Sequence, residues 1–140
     1  MSDIYDEVQE NRTKHKYSHG GFVKGVERYF ENKGYNSKGS EQRPNKPNVK
    51  NLSEGGVHDL LLTKSNNYVG VEIDLHINPD LYRATKLVEK FNDTGVKKKI
   101  VVCVQRPTIG CLEYYKENKV ECYSVSKISK LGHLSLKRLV

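Results

Sequence analysis

Two apolar runs constrain this chain more than anything else in it. Val57-His58-Asp59-Leu60-Leu61-Leu62 and Tyr68-Val69-Gly70-Val71-Glu72-Ile73-Asp74-Leu75 flank the turn-rich pentad Thr63-Lys64-Ser65-Asn66-Asn67. Such a pattern predicts a β-hairpin. Asp59 leads into the first strand, and Glu72 and Asp74, two residues apart on the second, project from one face. Acidic groups inside Val/Leu/Ile runs are costly to bury unless they are paired or bind a cation. Three carboxylates gathered by one hairpin repel each other, and a divalent metal is the usual remedy. Each also has a plainer reading: Asp59 caps a turn, Glu72 is a paired or edge-facing carboxylate, and Asp74 faces solvent where the strand ends. His58 and His76 flank the acidic strands, as metal or proton-transfer groups or as structural histidines.

The rest of the chain surrounds this hairpin. Residues 1–20 are polar and charged, with Lys14, His15, Lys16 and His19 clustered before Gly20, and read as a flexible basic arm; residues 21–140 are expected to form a single domain. Phe22, Val26, Tyr29 and Phe30 recur at helical spacing, and Gly34 is placed to cap that helix. Ser37 to Glu54 is polar, carries Pro44 and Pro47, and reads as a long loop with a short edge strand near Val49 to Leu52. After the hairpin, Asn78-Pro79-Asp80 opens a second helix with Leu81, Ala84, Leu87, Val88 and Phe91 on its apolar face, ended by Gly95. Ile100 to Val104 is a continuous apolar run of the kind found in a doubly covered central strand. A third helix follows from about Thr108 to Asn118, then a strand from Val120 to Val125. Lys127 to Val140 alternates basic and apolar residues and fits either a terminal helix or an edge strand. The order predicts an α/β fold: a three-layer sandwich with helices on both faces of a central mixed β-sheet.

Composition narrows the partners. The 140 residues carry a net charge of +7, which favours an anionic partner, nucleic acid first and a membrane surface second. No apolar run is long enough to cross a bilayer and no signal-peptide core opens the chain, so a soluble, intracellular (cytoplasmic) protein is expected. Cys103, Cys111 and Cys122 are an odd set without CxxC spacing, read as free, buried or half-buried thiols. Lys38, Arg43, Lys46 and Lys50 in the long loop, with Lys64 and Arg83, are candidate nucleic-acid contacts. The tyrosines are available to stack on unpaired bases, or simply pack.

With these elements placed, the sequence resembles the PD-(D/E)xK nuclease superfamily, the restriction-endonuclease-like fold, and within it the archaeal Holliday-junction resolvases. Gly25-Val26-Glu27-Arg28 followed by Lys33-Gly34-Tyr35 looks like that family's first helix. Val57-His58-Asp59-Leu60-Leu61 looks like its "PD" strand, and Val71-Glu72-Ile73-Asp74 like its "ExK" strand. The likeness covers about residues 21–125. It implies a metal-dependent endodeoxyribonuclease, junction- or structure-directed, acting on DNA as a homodimer. Asp59, Glu72 and Asp74 would hold Mg²⁺ (or Mn²⁺), and Glu27 would support the site. A small basic protein of this kind fits a virus or plasmid of an archaeon. One departure is clear: Asp74 stands where the family places its lysine. Lys64, Arg83, Lys86 or Lys90 would have to supply the displaced cation. Otherwise the chain keeps the fold as a catalytically inactive nucleic-acid-binding protein, or as an interaction protein with a merely structural hairpin.

Overall fold

A computed structural model of the chain describes residues 19–44 and 57–140. In chain order the elements are α1 (His19–Glu31), β1 (Asn36–Gln42), β2 (His58–Lys64), β3 (Asn67–Asp74), α2 (Leu81–Thr94), β4 (Lys98–Cys103), α3 (Ile109–Glu117), β5 (Val120–Ile128) and β6 (Leu134–Arg138). The six strands form one sheet in sequential order. β1–β2, β2–β3 and β5–β6 are antiparallel, whereas β3–β4 and β4–β5 are parallel. Each parallel step needs a crossover, and α2 and α3 supply them.

The two faces are covered separately. Phe22, Val23, Val26 and Phe30 of α1 pack with Leu60, Leu62, Val69, Val71, Ile73, Ile100 and Val102 on one side. Ala84, Val88 and Phe91 of α2, with Cys111, Leu112 and Tyr115 of α3, pack with Leu61, Val101, Cys103 and Cys122 on the other. β3 and β4 therefore have apolar residues on both faces, as expected for doubly covered strands. Among the described residues no helix is long and apolar enough to cross a membrane.

Local signals act where they were expected. Ser65 and Asn66 both take positive φ, 52° and 65°, so the hairpin turns over these two residues between paired Lys64 and Asn67. Asp80 caps α2 by accepting the Arg83 N–H at 3.1 Å, and Gly95 ends it in the left-handed region. The three cysteines are free and buried; burial pushes the Cys111 thiol up to about 12, away from thiolate chemistry.

Two expectations are corrected. Asn36–Gln42 is a strand, not the start of a loop: it has almost no apolar residues, and its strand form rests on backbone pairing with β2 at the sheet edge. The expected edge strand at 49–52 lies outside the described residues. His19 and Gly20, expected in the arm, belong to α1; residues 1–18 lie outside the described residues. The tail resolves into a strand, β6, antiparallel to β5. In addition, Leu81 sits in the first turn of α2 and faces solvent, outside the apolar face assigned to it.

Two close approaches fix the layers. A Cβ on Gly25 would meet Leu134 Cδ1 at 2.9 Å, the movable end of a side chain on β6. A Cβ on Gly70 would meet His58 Nε2 at 2.9 Å, and that imidazole is fully buried and stacked on Phe91, ring centroids 5.2 Å apart at 22°. Gly70→Ala should therefore destabilise the fold by about 1–3 kcal/mol in urea unfolding, as overpacking does, and Gly25→Ala by less. Equal costs would mean that the His58 ring is not held in place.

Candidate active site

The acidic residues lie where β2 and β3 separate. Their ladder runs from Lys64↔Asn67 to Leu60↔Val71. Beyond it Asp59 turns its carboxylate onto β3, where Oδ2 accepts the Ile73 N–H at 2.7 Å. The strand alternation breaks at the same place. Leu60 packs with the α1 layer, yet His58, two residues earlier, stacks on Phe91 in the α2 layer. The local twist thus sends Asp59 and His58 to different neighbours from those a regular strand would give them.

Glu72 is 3% exposed and Asp74 1%, and each has its own cationic partner from α2. Lys90 Nζ donates to Glu72 Oε1 at 3.0 Å. His58 Nδ1 lies 2.6 Å from Glu72 Oε2, so the carboxylate accepts and fixes a proton on that nitrogen. The other ring nitrogen is 2.7 Å from Thr94 Oγ1. Arg83 Nε donates to both oxygens of Asp74, at 3.1 and 3.0 Å, and the His76 N–H adds a bond of 2.9 Å. The Asp74 contact in turn raises the Arg83 pKa. Lys90 and Arg83 are seven positions apart on α2, two helical turns, so one helix face serves both carboxylates.

Asp59 is less well compensated. Burial, and next the charge of Glu72, raise its pKa; the Ile73 N–H, His19 and Lys90 oppose this. His19 Nε2 stands 3.5 Å from Asp59 Oδ2. Asp59 and Glu27 line one cavity of about 520 Å³ with His19, Lys24, Ser40 and Glu41. Glu27 accepts a hydrogen bond from the Ser37 hydroxyl of β1. The structure therefore brings Glu27 to Asp59, and Asp59 within the field of Glu72, but leaves Asp74 in a separate pair with Arg83.

Among the described residues no group of three or more His, Cys, Asp or Glu side chains is arranged to hold a metal ion. Of the expected basic contacts, Lys38 is exposed on β1 and Arg43 lies just past its end. Lys46 and Lys50 fall outside the described residues. Lys64 is in the hairpin turn at the far end of β2, and Arg83 is engaged by Asp74. Thr94 went unnoticed in the sequence; its only signal is its place beside Gly95, where a polar residue closes the inner face of α2.

No protein-family model matches the chain, and no curated protein matches it by sequence. Among solved structures it is similar to a protein of unknown function, AF1548, with a TM-score of 0.62 and 12% identity over 76% of this chain and 58% of that one. It is also similar to SfsA of Pyrococcus furiosus, solved with Ca²⁺, with a TM-score of 0.46 and 16% identity over 92% of this chain and 64% of that one. The chain spans less than two thirds of the length of either. The AF1548 likeness supports the mixed α/β architecture alone.

The Asp59 environment yields a pH signature. Its pKa is raised on folding, so the folded state binds the proton more tightly, and stability falls as pH rises through the window above the ordinary carboxylate value. Asp59→Asn keeps an acceptor for the Ile73 N–H and removes the charge. In EDTA the variant should melt at a higher temperature than the parent at neutral pH, and the difference should vanish in acid. A Tm difference independent of pH would refute the assignment.

Proposed function

We propose that the chain is a metal-dependent nuclease of the restriction-endonuclease-like fold, hydrolysing phosphodiester bonds in DNA. Asp59 and Glu72 carry the site, Glu27 supports it, and Lys90 supplies the cation that Asp74 does not. The observation behind this reading is the 3.0 Å contact between Lys90 and Glu72. It puts an ammonium group from α2 on the carboxylate of the ExK-like strand, although the lysine position of that strand is acidic.

The donor set suits a hard cation. Both ligands are carboxylates, and Asp59 lies within the field of Glu72, whose charge adds to burial in raising its pKa. Mg²⁺ or Mn²⁺ would be held by Asp59 and Glu72, with water and phosphate oxygens completing the shell, an arrangement Mg²⁺ favours. Such an ion lowers the pKa of a bound water and neutralises charge on a phosphoryl group. The chain's own residues do the positioning. His58, pinned by Thr94 and Phe91, holds the Glu72 carboxylate in one orientation. The Ile73 N–H does the same for Asp59. Lys90 keeps a positive charge beside Glu72, placed to stabilise charge developing on a scissile phosphate. Lys24, which lines the cavity with Asp59 and Glu27, suits a backbone phosphate, a contact that positions a substrate without reading its sequence. A branched substrate such as a four-way junction needs two cuts, and a homodimer would provide two sites.

A second reading is a nucleic-acid-binding protein without catalysis. It is favoured by the full engagement of Glu72 and Asp74 with cationic side chains and by the lack, among the described residues, of a ready three-ligand group.

Cleavage of labelled duplex, single-stranded and four-way-junction DNA in Mg²⁺, Mn²⁺ and EDTA separates the two. The nuclease reading predicts metal-dependent cutting that Glu72→Ala and Lys90→Met each lower by about 10²–10³-fold, with DNA binding retained. Salt-sensitive binding with no cutting in either metal would leave the second reading.

A further inference from the structure

A second site lies at the opposite end of the sheet. Asp59 and Lys64 are five residues apart on β2, about 16 Å along an extended strand, and a groove opens beside Lys64. It has a volume of about 480 Å³ and is lined by Tyr29, Lys33, Tyr35, Lys64, Tyr123 and Arg138, among others. These side chains come from α1 and the loop after it, the β2–β3 turn, β5 and β6, so the tertiary fold gathers them from distant parts of the sequence.

Its charge is unbalanced. Glu121, which touches the lining residues Tyr123 and Arg138, is already shared: Lys98 Nζ lies 3.4 Å away, Arg138 Nη1 3.8 Å, and the Tyr123 hydroxyl donates to it at 2.7 Å. Lys33 and Lys64 are held over rings instead, 5.4 Å from the Tyr29 centroid and 4.4 Å from that of Tyr35. Among the described residues neither of these two lysines pairs with a carboxylate. Tyr35 is buried, but Tyr29 and Tyr123 are half-exposed and offer ring surface to the groove. Ammonium groups beside half-exposed aromatic rings match a phosphate with a base attached to it.

We infer that this groove binds an unpaired nucleic-acid strand, with Lys33 and Lys64 on the phosphates and Tyr29 under a base. The inference takes from the nuclease reading only that the polyanion is nucleic acid. It concerns a contact about 16 Å from the carboxylates, suited to a strand leaving the site.

The test is fluorescence anisotropy of a labelled oligothymidylate, titrated in EDTA over a range of salt so that cleavage plays no part. Lys33→Glu with Lys64→Glu should weaken binding about tenfold or more and reduce the salt slope by about 1.4, or 0.7 for each phosphate contact. The same two reversals on α3 and its end, Lys116→Glu with Lys119→Glu, control for net charge and should weaken binding less. Tyr29→Leu, which keeps apolar bulk for the fold, should cost about fivefold or more. It should also abolish any preference for oligothymidylate over inorganic polyphosphate. Equal weakening by the groove and control pairs would overturn the site, and a Tyr29→Leu protein that binds like the parent would overturn the stacking. Because nothing is cut in EDTA, loss of catalysis alone leaves this result untouched.

Discussion

Two buried carboxylates on β3 determine how the layers of this protein fit together. An unpaired charge in the interior is strongly unfavourable, and removing one member of a buried pair typically costs about 3–5 kcal/mol, a large part of a domain's usual stability. Glu72 and Asp74 avoid this because α2 lies with Lys90 over one and Arg83 over the other. That requirement sets the register of α2 against the sheet more sharply than the packing of Ala84, Val88 and Phe91 alone, since apolar contacts are non-directional. His58 adds a second lock. Its imidazole lies between Glu72, Thr94 and Phe91, and Gly70 leaves the room for it.

The remaining charges gather towards the two ends of β2. Where β2 and β3 diverge, Asp59 borrows a backbone donor from β3, and Glu27, Glu41 and Asp59 line one cavity. At the turn end, lysines are stored over tyrosine rings, with one shared glutamate. A strand of only seven residues joins the two ends.

Much of this was legible in the sequence. The hairpin, α2, α3, β4 and β5 follow from periodicity and from capping residues such as Asp80 and Gly95, because burial and local hydrogen bonding act together there. β1 was not legible: Asn36 to Gln42 has no apolar alternation, and its strand form comes from β2, a partner distant in sequence. β6 was ambiguous for a related reason, since Leu134 is buried only by contact with α1 and the sheet. At the site, charge among apolar residues marks Asp59, Glu72 and Asp74 as groups needing a partner or a cation. Which compensation they receive depended on the facing of α2, and spacing along β3 placed Asp74 with Glu72 although Arg83 draws it into a separate pair.

In the proposed site a divalent cation belongs to Asp59 and Glu72, with Asp74 serving Arg83. Electron paramagnetic resonance of Mn²⁺ added to the parent, Asp59→Asn and Asp74→Asn proteins separates these roles. Saturable Mn²⁺ binding should be lost in Asp59→Asn and kept in Asp74→Asn. Binding that survives Asp59→Asn and disappears in Asp74→Asn would contradict that assignment.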